Sequence, residues 1–260
     1  MTKLAANLSM MFTELPFMER FGAAAAAGFK GVEYLFPYEE PAESIRATLD
    51  EHGLQQVLFN APAGDWAAGD RGLGGHPGRF EECRKGIDLA IDYARALGSP
   101  AVHLMAGIRP ADHDLAACRD TLIGNLVYAA DAAAPHAIQI FVEAINSRVD
   151  MPGYIVDDSA AALEIIDRAD RPNIRFQYDI YHMQIMEGDI ARAIERLLPR
   201  IGHIQLADNP GRNEPGTGEI NYAWLLPKID ALGYDGWIGC EYRPAAGTID
   251  GLGWAKPYLG

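Results

Sequence analysis

Four residues combine reactive side chains with a regular spacing. Glu143, Asp179, Gln205 and Glu241 end or nearly end the short apolar runs IQIFVE (138–143), IRFQYD (174–179), HIQLA (203–207) and WIGCE (237–241). Their separations of 36, 26 and 36 residues are each about one strand–helix unit. A carboxylate closing an apolar strand is costly to bury without a partner, and three together repel unless a cation lies among them. Counting the amide oxygen of Gln205, the set is all oxygen, which suits Mg²⁺ or Mn²⁺ better than zinc. Any one of these acids could simply cap its following helix or form half a salt bridge. Four in register at successive strand ends weaken that reading. Two glutamates facing each other across a bound substrate form a proton-transfer device. One removes a proton beside a carbonyl and the other returns it to the neighbouring carbon (isomerisation) or to the opposite face (epimerisation). Glu143 and Glu241 are placed for those roles.

Such residues need a frame that brings strand ends together. Short apolar or alternating runs recur at 4–10, 31–36, 54–60, 101–106, 138–143, 174–179, 203–207 and 237–241, which predicts eight strands. Helical patterns lie between them at 16–27, 41–52, 79–97, 115–135, 159–169, 189–198 and 222–232. Strict alternation argues for parallel sheet, and eight units in 260 residues fit a single (β/α)8 TIM barrel over 1–260. A doubly wound sheet is the rival. It usually shows a glycine-rich phosphate turn after its first strand, and none stands there. In a barrel the four residues fall on the C-terminal rim of strands five to eight, where barrel enzymes keep their active sites.

Further candidates lie in the connections. His182 is three residues past Asp179, in the segment predicted as a loop. It could hydrogen-bond a substrate oxygen or cap a neighbouring helix, and position alone favours neither. His103 and His203 fall inside strands and read as core histidines. The stretch NAPAGDWAAGDRGLGGHPGRF (60–80) is too long and glycine-rich for an ordinary connection, so 61–79 reads as a lid over the site, carrying Asp65, Trp66, Asp70 and Arg71. DNPGRNEPGTGE (208–219) follows strand seven, where barrels often bind anions. Arg212 there and Arg71 in the lid are the candidate clamps for a substrate carboxylate, with Trp66 a further substrate contact. Taken alone, each arginine reads first as a solvated surface residue.

Composition narrows the partners. The net charge is −14, which repels nucleic-acid phosphates and anionic lipid, so neither nucleic acid nor membrane is expected. No stretch approaches the roughly 18 apolar residues of a membrane span. Cys83, Cys118 and Cys240 are odd in number and lack CxxC spacing, which fits a reducing, cytoplasmic setting without disulfides. The alanine run at 23–27 lies in an amphipathic first helix rather than a signal peptide, because Glu14, Glu19 and Arg20 interrupt the apolar stretch. Barrels often associate, so a homo-oligomer is compatible with the sequence.

Six blocks carry a family resemblance: ANLSMMF (6–12), GVEYLFPY (31–38), NAPAGDWAAGDRG (60–72), YDIYHMQIMEGD (178–189), IGHIQLADNPGRNEPGTGEINY (201–222) and GWIGCEYRP (236–244). Together they resemble the hydroxypyruvate isomerase family of the xylose-isomerase-like TIM barrel superfamily, which also holds sugar 3-epimerases and isomerases of 2-oxo-tetronates. The resemblance implies interconversion of hydroxypyruvate and 2-hydroxy-3-oxopropanoate (tartronate semialdehyde). It also implies Glu143 and Glu241 as the proton-transferring pair, a divalent metal held by Glu143, Asp179, Gln205 and Glu241, and a substrate contact from His182. In the related epimerases a histidine binds the metal where this chain has Gln205. A 2-oxo-tetronate isomerase, a sugar 3-epimerase and a sugar-acid binding protein without catalysis are the alternatives.

Overall fold

The computed structural model describes residues 2–259. Eight strands run parallel and in chain order around a closed barrel: β1 (Lys3–Asn7), β2 (Gly31–Tyr34), β3 (Gln55–Asn60), β4 (Ala101–His103), β5 (Gln139–Glu143), β6 (Ile174–Asp179), β7 (Ile201–Leu206) and β8 (Trp237–Cys240). Closure comes from β1 pairing with β8, with Ala6 opposite Cys240. The expected (β/α)8 architecture is therefore the observed one.

The helices are α1 (Phe17–Ala26), α2 (Ala42–His52), α3 (Phe80–Leu97), α4 (Leu115–Ala133), α5 (Ser159–Ala169), α6 (Ile180–Met186), α7 (Ile190–Leu197) and α8 (Tyr222–Ala231). Asp114 and Asp158 start α4 and α5 by accepting from the backbone N–H of Ala117 and Ala161, the usual work of an aspartate before a helix. Gly53 and Gly98, both with positive φ, end α2 and α3. One strand–helix unit departs from the predicted pattern. Both α6 and α7 follow β6, and after β8 the chain forms a short 3₁₀ segment (Asp250–Ala255) in place of a long helix.

Two apolar clusters result. The large one lies between barrel and helices, where Val32, Ile140, Val142 and Ile204 meet Phe21, Ile45, Ile87 and Leu122. The small one comprises only strand residues, Ala5, Val57, Leu58, Ala101 and Phe141, and fills the barrel floor. Side chains alternate along each strand, so the residues two beyond Ala5 and Phe141 also face the lumen. They are Asn7 and Glu143. The lumen thus turns from apolar to polar towards its C-terminal end, with Glu33, His103, Gln177, His203 and Gln205 all buried there.

Candidate active site

Three carboxylates and an imidazole converge at the C-terminal end of the barrel. Glu143 ends β5, Asp179 ends β6, Glu241 directly follows β8, and His182 sits in α6. Each offers an atom lying within 4.8 Å of the others, and all four residues are buried. His182 was expected in a loop. It is helical because Asp179 caps α6, its Oδ1 accepting from the N–H of Tyr181 at 2.7 Å and of His182 at 3.4 Å. One side chain therefore ends a strand, starts a helix and leaves its second oxygen facing the cluster.

That second oxygen, Asp179 Oδ2, and Glu143 Oε1 are buried acceptors without a hydrogen-bond partner. Orphaned carboxylate oxygens that converge with Glu241 are what a hard divalent cation would satisfy, so the residues present fit one. Positive charge in the cluster now comes from Arg212. Its Nη2 donates to Glu241 Oε2 at 2.9 Å and lies 3.8 Å from Asp179 Oδ2, while Nη1 lies 3.7 Å from Asp150 Oδ2.

The titration of these groups follows from burial and from one another. Burial, then the charges of Glu241 and Asp179, holds the Glu143 carboxyl well above the usual carboxylate range. Burial also raises Glu241, to about 8, despite the opposing charge of Arg212. It raises Asp179 too, against Arg212 and the two backbone N–H groups that the carboxylate accepts. Burial opposes the charge of Arg212, yet Glu241, Asp179 and Asp150 around it win and keep it protonated. Burial, Arg212 and His103 push His182 well below its ordinary value, so its ring is neutral at pH 7.

Arg212 owes its place to Asp208. The Asp208 side chain accepts from four backbone N–H groups of the loop after β7: Asn209 and Ile220 at 3.0 Å, Gly216 at 2.8 Å and Gly218 at 2.9 Å. Arg212 has a positive φ of 53°, uncommon for a side-chain-bearing residue, and its carbonyl accepts from the N–H of Arg243. Its guanidinium also lies 5.0 Å from the centre of the Tyr181 ring.

The loop after β3 reaches the same cavity from the other side. Trp66 and Arg71 line a space of about 910 Å³ together with Glu143, His182, Arg212 and Glu241. Arg71 stacks on the Trp66 ring at 4.2 Å and donates to the carbonyls of Trp66 and Asp70. The segment is built rather than loose. Gly74 and Gly75 donate to the carbonyls of Met105 and Ala106, and Asp70 pairs with Arg79 at 2.6 Å. Gly72, at φ 120°, packs so closely that a Cβ would lie 2.6 Å from Met105.

The Gln205 amide already has partners in the lumen. Its Oε1 accepts from Gln177 at 2.6 Å and its Nε2 donates to Glu33 Oε1 at 2.9 Å. Of the expected residues the structure groups Glu143, Asp179 and Glu241, with His182 beside them. Glu33 is a lumen carboxylate not singled out by spacing. It also accepts from Asn7 at 3.1 Å and meets His203 Nε2 at 2.8 Å.

The Xylose isomerase-like TIM barrel family model matches residues 21–258. The chain belongs to that family. It is 53% identical over 260 residues to a 2-oxo-tetronate isomerase of Cupriavidus necator, covering all of both chains. It is 46% identical over 258 residues to a hydroxypyruvate isomerase of Escherichia coli, covering 99% of this chain and all of that one. A crystal structure titled AP endonuclease, family 2, from Brucella melitensis superposes with a TM-score of 0.97 at 48% identity, covering all of both chains.

Within this family barrel, several site residues escaped the sequence reading. Glu33, Asn7, Asn146 and Asp150 touch the cluster or its neighbours. Asn7 Nδ2 bridges Glu33 and Glu241, at 3.1 and 3.4 Å. His103 and His203 are buried in strands as expected, and both face functional groups. His103 Nδ1 lies 3.6 Å from Glu143 Oε2, and burial, with His203, lowers its pKa to about 3. The signal for Glu33 was available, since it is an acid in the middle of the apolar run GVEYL. A Cβ on Gly239 would lie 2.3 Å from its carboxylate, which explains the glycine inside β8.

Proposed function

We propose that the protein is an isomerase of a short 2-oxo-3-hydroxy acid, moving a proton between C3 and C2. The single observation that carries this reading is the facing pair Glu143 and Glu241, buried in one cavity with Arg212 and neutral His182 between them. In hydroxypyruvate and 2-oxo-tetronate alike, a carboxylate, a C2 carbonyl and a hydroxyl-bearing C3 stand in sequence, and the second acid adds only a hydroxymethyl group on C3. One mechanism serves both.

Glu143, Asp179 and Glu241 would hold a divalent cation, with Gln205 joining once its amide oxygen turns from Gln177. Bound there, Mg²⁺ or Mn²⁺ supplies the Lewis-acid charge that makes a proton beside a carbonyl easier to remove. One of the two glutamates takes the C3 proton and the other returns a proton to C2 on the opposite side of the intervening enediol, while the hydroxyl proton leaves O3 and O2 gains one. In the cation-free site burial raises both carboxyls above the usual carboxylate range, the perturbation expected of groups gathered at a functional site. Arg212 is the clamp for the substrate carboxylate, and His182 donates to a substrate oxygen. Trp66 and Arg71 line the same cavity, which supports 61–79 as a lid over it.

Of the two acids we take 2-oxo-tetronate as the better substrate. The relative at 53% identity bears that name, and a cavity of about 910 Å³ has room for the extra hydroxymethyl group. The sequence blocks favoured hydroxypyruvate, which we retain as the second substrate. The experiment that separates an isomerase from a binder is Glu143→Gln, assayed by turnover and by calorimetric affinity for each acid. Turnover should fall about 10²–10⁴-fold, the contribution of a positioned acid–base group, with affinity changed far less. Unchanged turnover would remove Glu143 from the reaction. Nicking of abasic DNA by the purified protein would instead favour the activity named for the Brucella melitensis structure.

A further inference from the structure

The neutral His182 ring can carry its proton on either nitrogen, and one of the two, Nδ1, faces the neighbouring Asn146. We propose that Asn146 is a positioning residue that fixes the tautomer of His182, so that an Nε2–H rather than a lone pair faces the carboxylates. The consequence drawn for turnover rests on the isomerase reading above. The tautomer itself does not.

Asn146 is fully buried, three residues past Glu143. Its Oδ1 accepts from the backbone N–H of Val149 at 2.9 Å and of Asp150 at 3.0 Å. Its Nδ2 lies 2.7 Å from Asp150 Oδ2 and 2.7 Å from His182 Nδ1. The opposite amide orientation would set an oxygen against a carboxylate and an NH₂ against two N–H groups, losing the bonds to Asp150 Oδ2, Val149 N and Asp150 N and keeping at most one, from an Nδ1–H. The amide direction is therefore determined, and Nδ2–H donates to Nδ1. A ring nitrogen that accepts carries no hydrogen, so the neutral ring holds its proton on Nε2. An imidazolium would face two hydrogens across 2.7 Å.

Two contacts pull the other way. Asp150 Oδ2 lies 3.7 Å from His182 Nδ1, beyond hydrogen-bond reach, and already accepts from Asn146 Nδ2 at 2.7 Å. Arg212 Nη2 lies 3.5 Å from His182 Nε2 and, as a donor, would prefer a lone pair there. It loses on distance, and that nitrogen already donates to Glu241 at 2.9 Å. On the same side of the ring lie Asp179 Oδ2 at 3.6 Å and Glu143 Oε1 at 3.7 Å, the two acceptors without partners. An Nε2–H facing them is electrostatically matched, whereas a lone pair would be repelled. His182 thus joins the cluster as a donor and leaves cation binding to oxygen atoms. A substrate oxygen entering this space meets an N–H. Asn146 touches no reacting atom and acts only through His182.

The test is nitrogen-15 NMR of His182 in the resting protein, where protonated and unprotonated ring nitrogens have well-separated shifts. Wild type should show the proton on Nε2. In the paired variant Asn146→Asp with Asp150→Asn, the loop keeps its backbone acceptor and its charge, and a carboxylate replaces the donor facing Nδ1. The proton should then move to Nδ1, and kcat should fall roughly 10–100-fold, as when the group orienting a site histidine is lost. A wild-type proton on Nδ1 would overturn the proposal. So would a variant that shifts the proton with kcat unchanged. If wild type turned over neither acid, the isomerase reading would fail while the NMR still decided the tautomer.

Discussion

Two loops, each rich in glycine and each carrying one candidate arginine, reach the cavity from opposite sides, and only one delivers its guanidinium to the buried carboxylates. The loop after β7 is anchored on the four backbone N–H groups held by Asp208. Arg212 needs no further partner for its backbone, so its guanidinium is free to meet Glu241, Asp179 and Asp150. In the loop after β3, Arg71 spends its Nη1 on the carbonyls of its own segment and its face on Trp66. Composition made the two arginines look equivalent. What separates them is whether another residue has already satisfied the loop backbone. An arginine still holding its own loop together has less of its hydrogen-bonding capacity left for a substrate.

This contrast can be broken by substitution, and the largest effect is expected at Arg212. Arg212→Ala removes a buried charge from among carboxylates, a change that costs about 2–5 kcal/mol in comparable pairs. In kcat/KM that corresponds to a loss of roughly 30-fold to several thousand-fold. An effect no larger than that of Arg71→Ala would erase the distinction between the loops.

The carboxylates facing Arg212 should also make stability depend on pH. Burial raises Glu241 to about 8 and holds Glu143 well above the usual carboxylate range, whereas an unfolded glutamate titrates near ~4.3. Between those values the folded chain binds more protons than the unfolded one. Cation-free stability should therefore be greatest at the acid end and decline as pH rises through about 8. Added Mg²⁺ should oppose that decline, because binding displaces those protons and so strengthens as pH rises. Melting curves from pH 6 to 9, with EDTA and with Mg²⁺, test both signs. A Mg²⁺ shift that shrank towards pH 9 would contradict the assignment.

Asp208→Ala should have a smaller, twofold consequence. Leaving several loop N–H groups unpaired costs about 1–3 kcal/mol, visible as a lower melting temperature. Arg212 would lose its support, so KM for the acid should rise as well. The smallest effect belongs to Arg71→Ala, whose half-exposed contacts are worth below about 1 kcal/mol. A few-fold change in KM with kcat intact is expected. A loss matching that of Arg212→Ala would transfer the clamp to the lid.

The barrel was legible because its signals are local. Apolar runs, intervening helical periodicity and turn residues recur eight times, and for β6 and α5 the predicted bounds are the observed ones, Ile174–Asp179 and Ser159–Ala169. The rim carboxylates were legible for the same reason, each at the end of a run. Helix α6 was missed because no turn separates it from β6, with Asp179 serving both elements. The contact of Gln205 with Glu33 was missed because it spans the barrel lumen. Glu33 is 172 residues away in sequence, and no periodicity announces such a contact. His182 was found by its distance from Asp179, but its protonation depends on Asn146, 36 residues earlier.

The proton shift between C3 and C2 on a short 2-oxo-3-hydroxy acid is tested most directly by proton NMR of hydroxypyruvate and 2-oxo-tetronate in D₂O, with Mg²⁺ and with EDTA. Both acids should be converted with Mg²⁺, 2-oxo-tetronate with the higher kcat/KM, and the C3 proton signal should decline as the product forms. Neither acid reacting in the presence of Mg²⁺ would contradict the account.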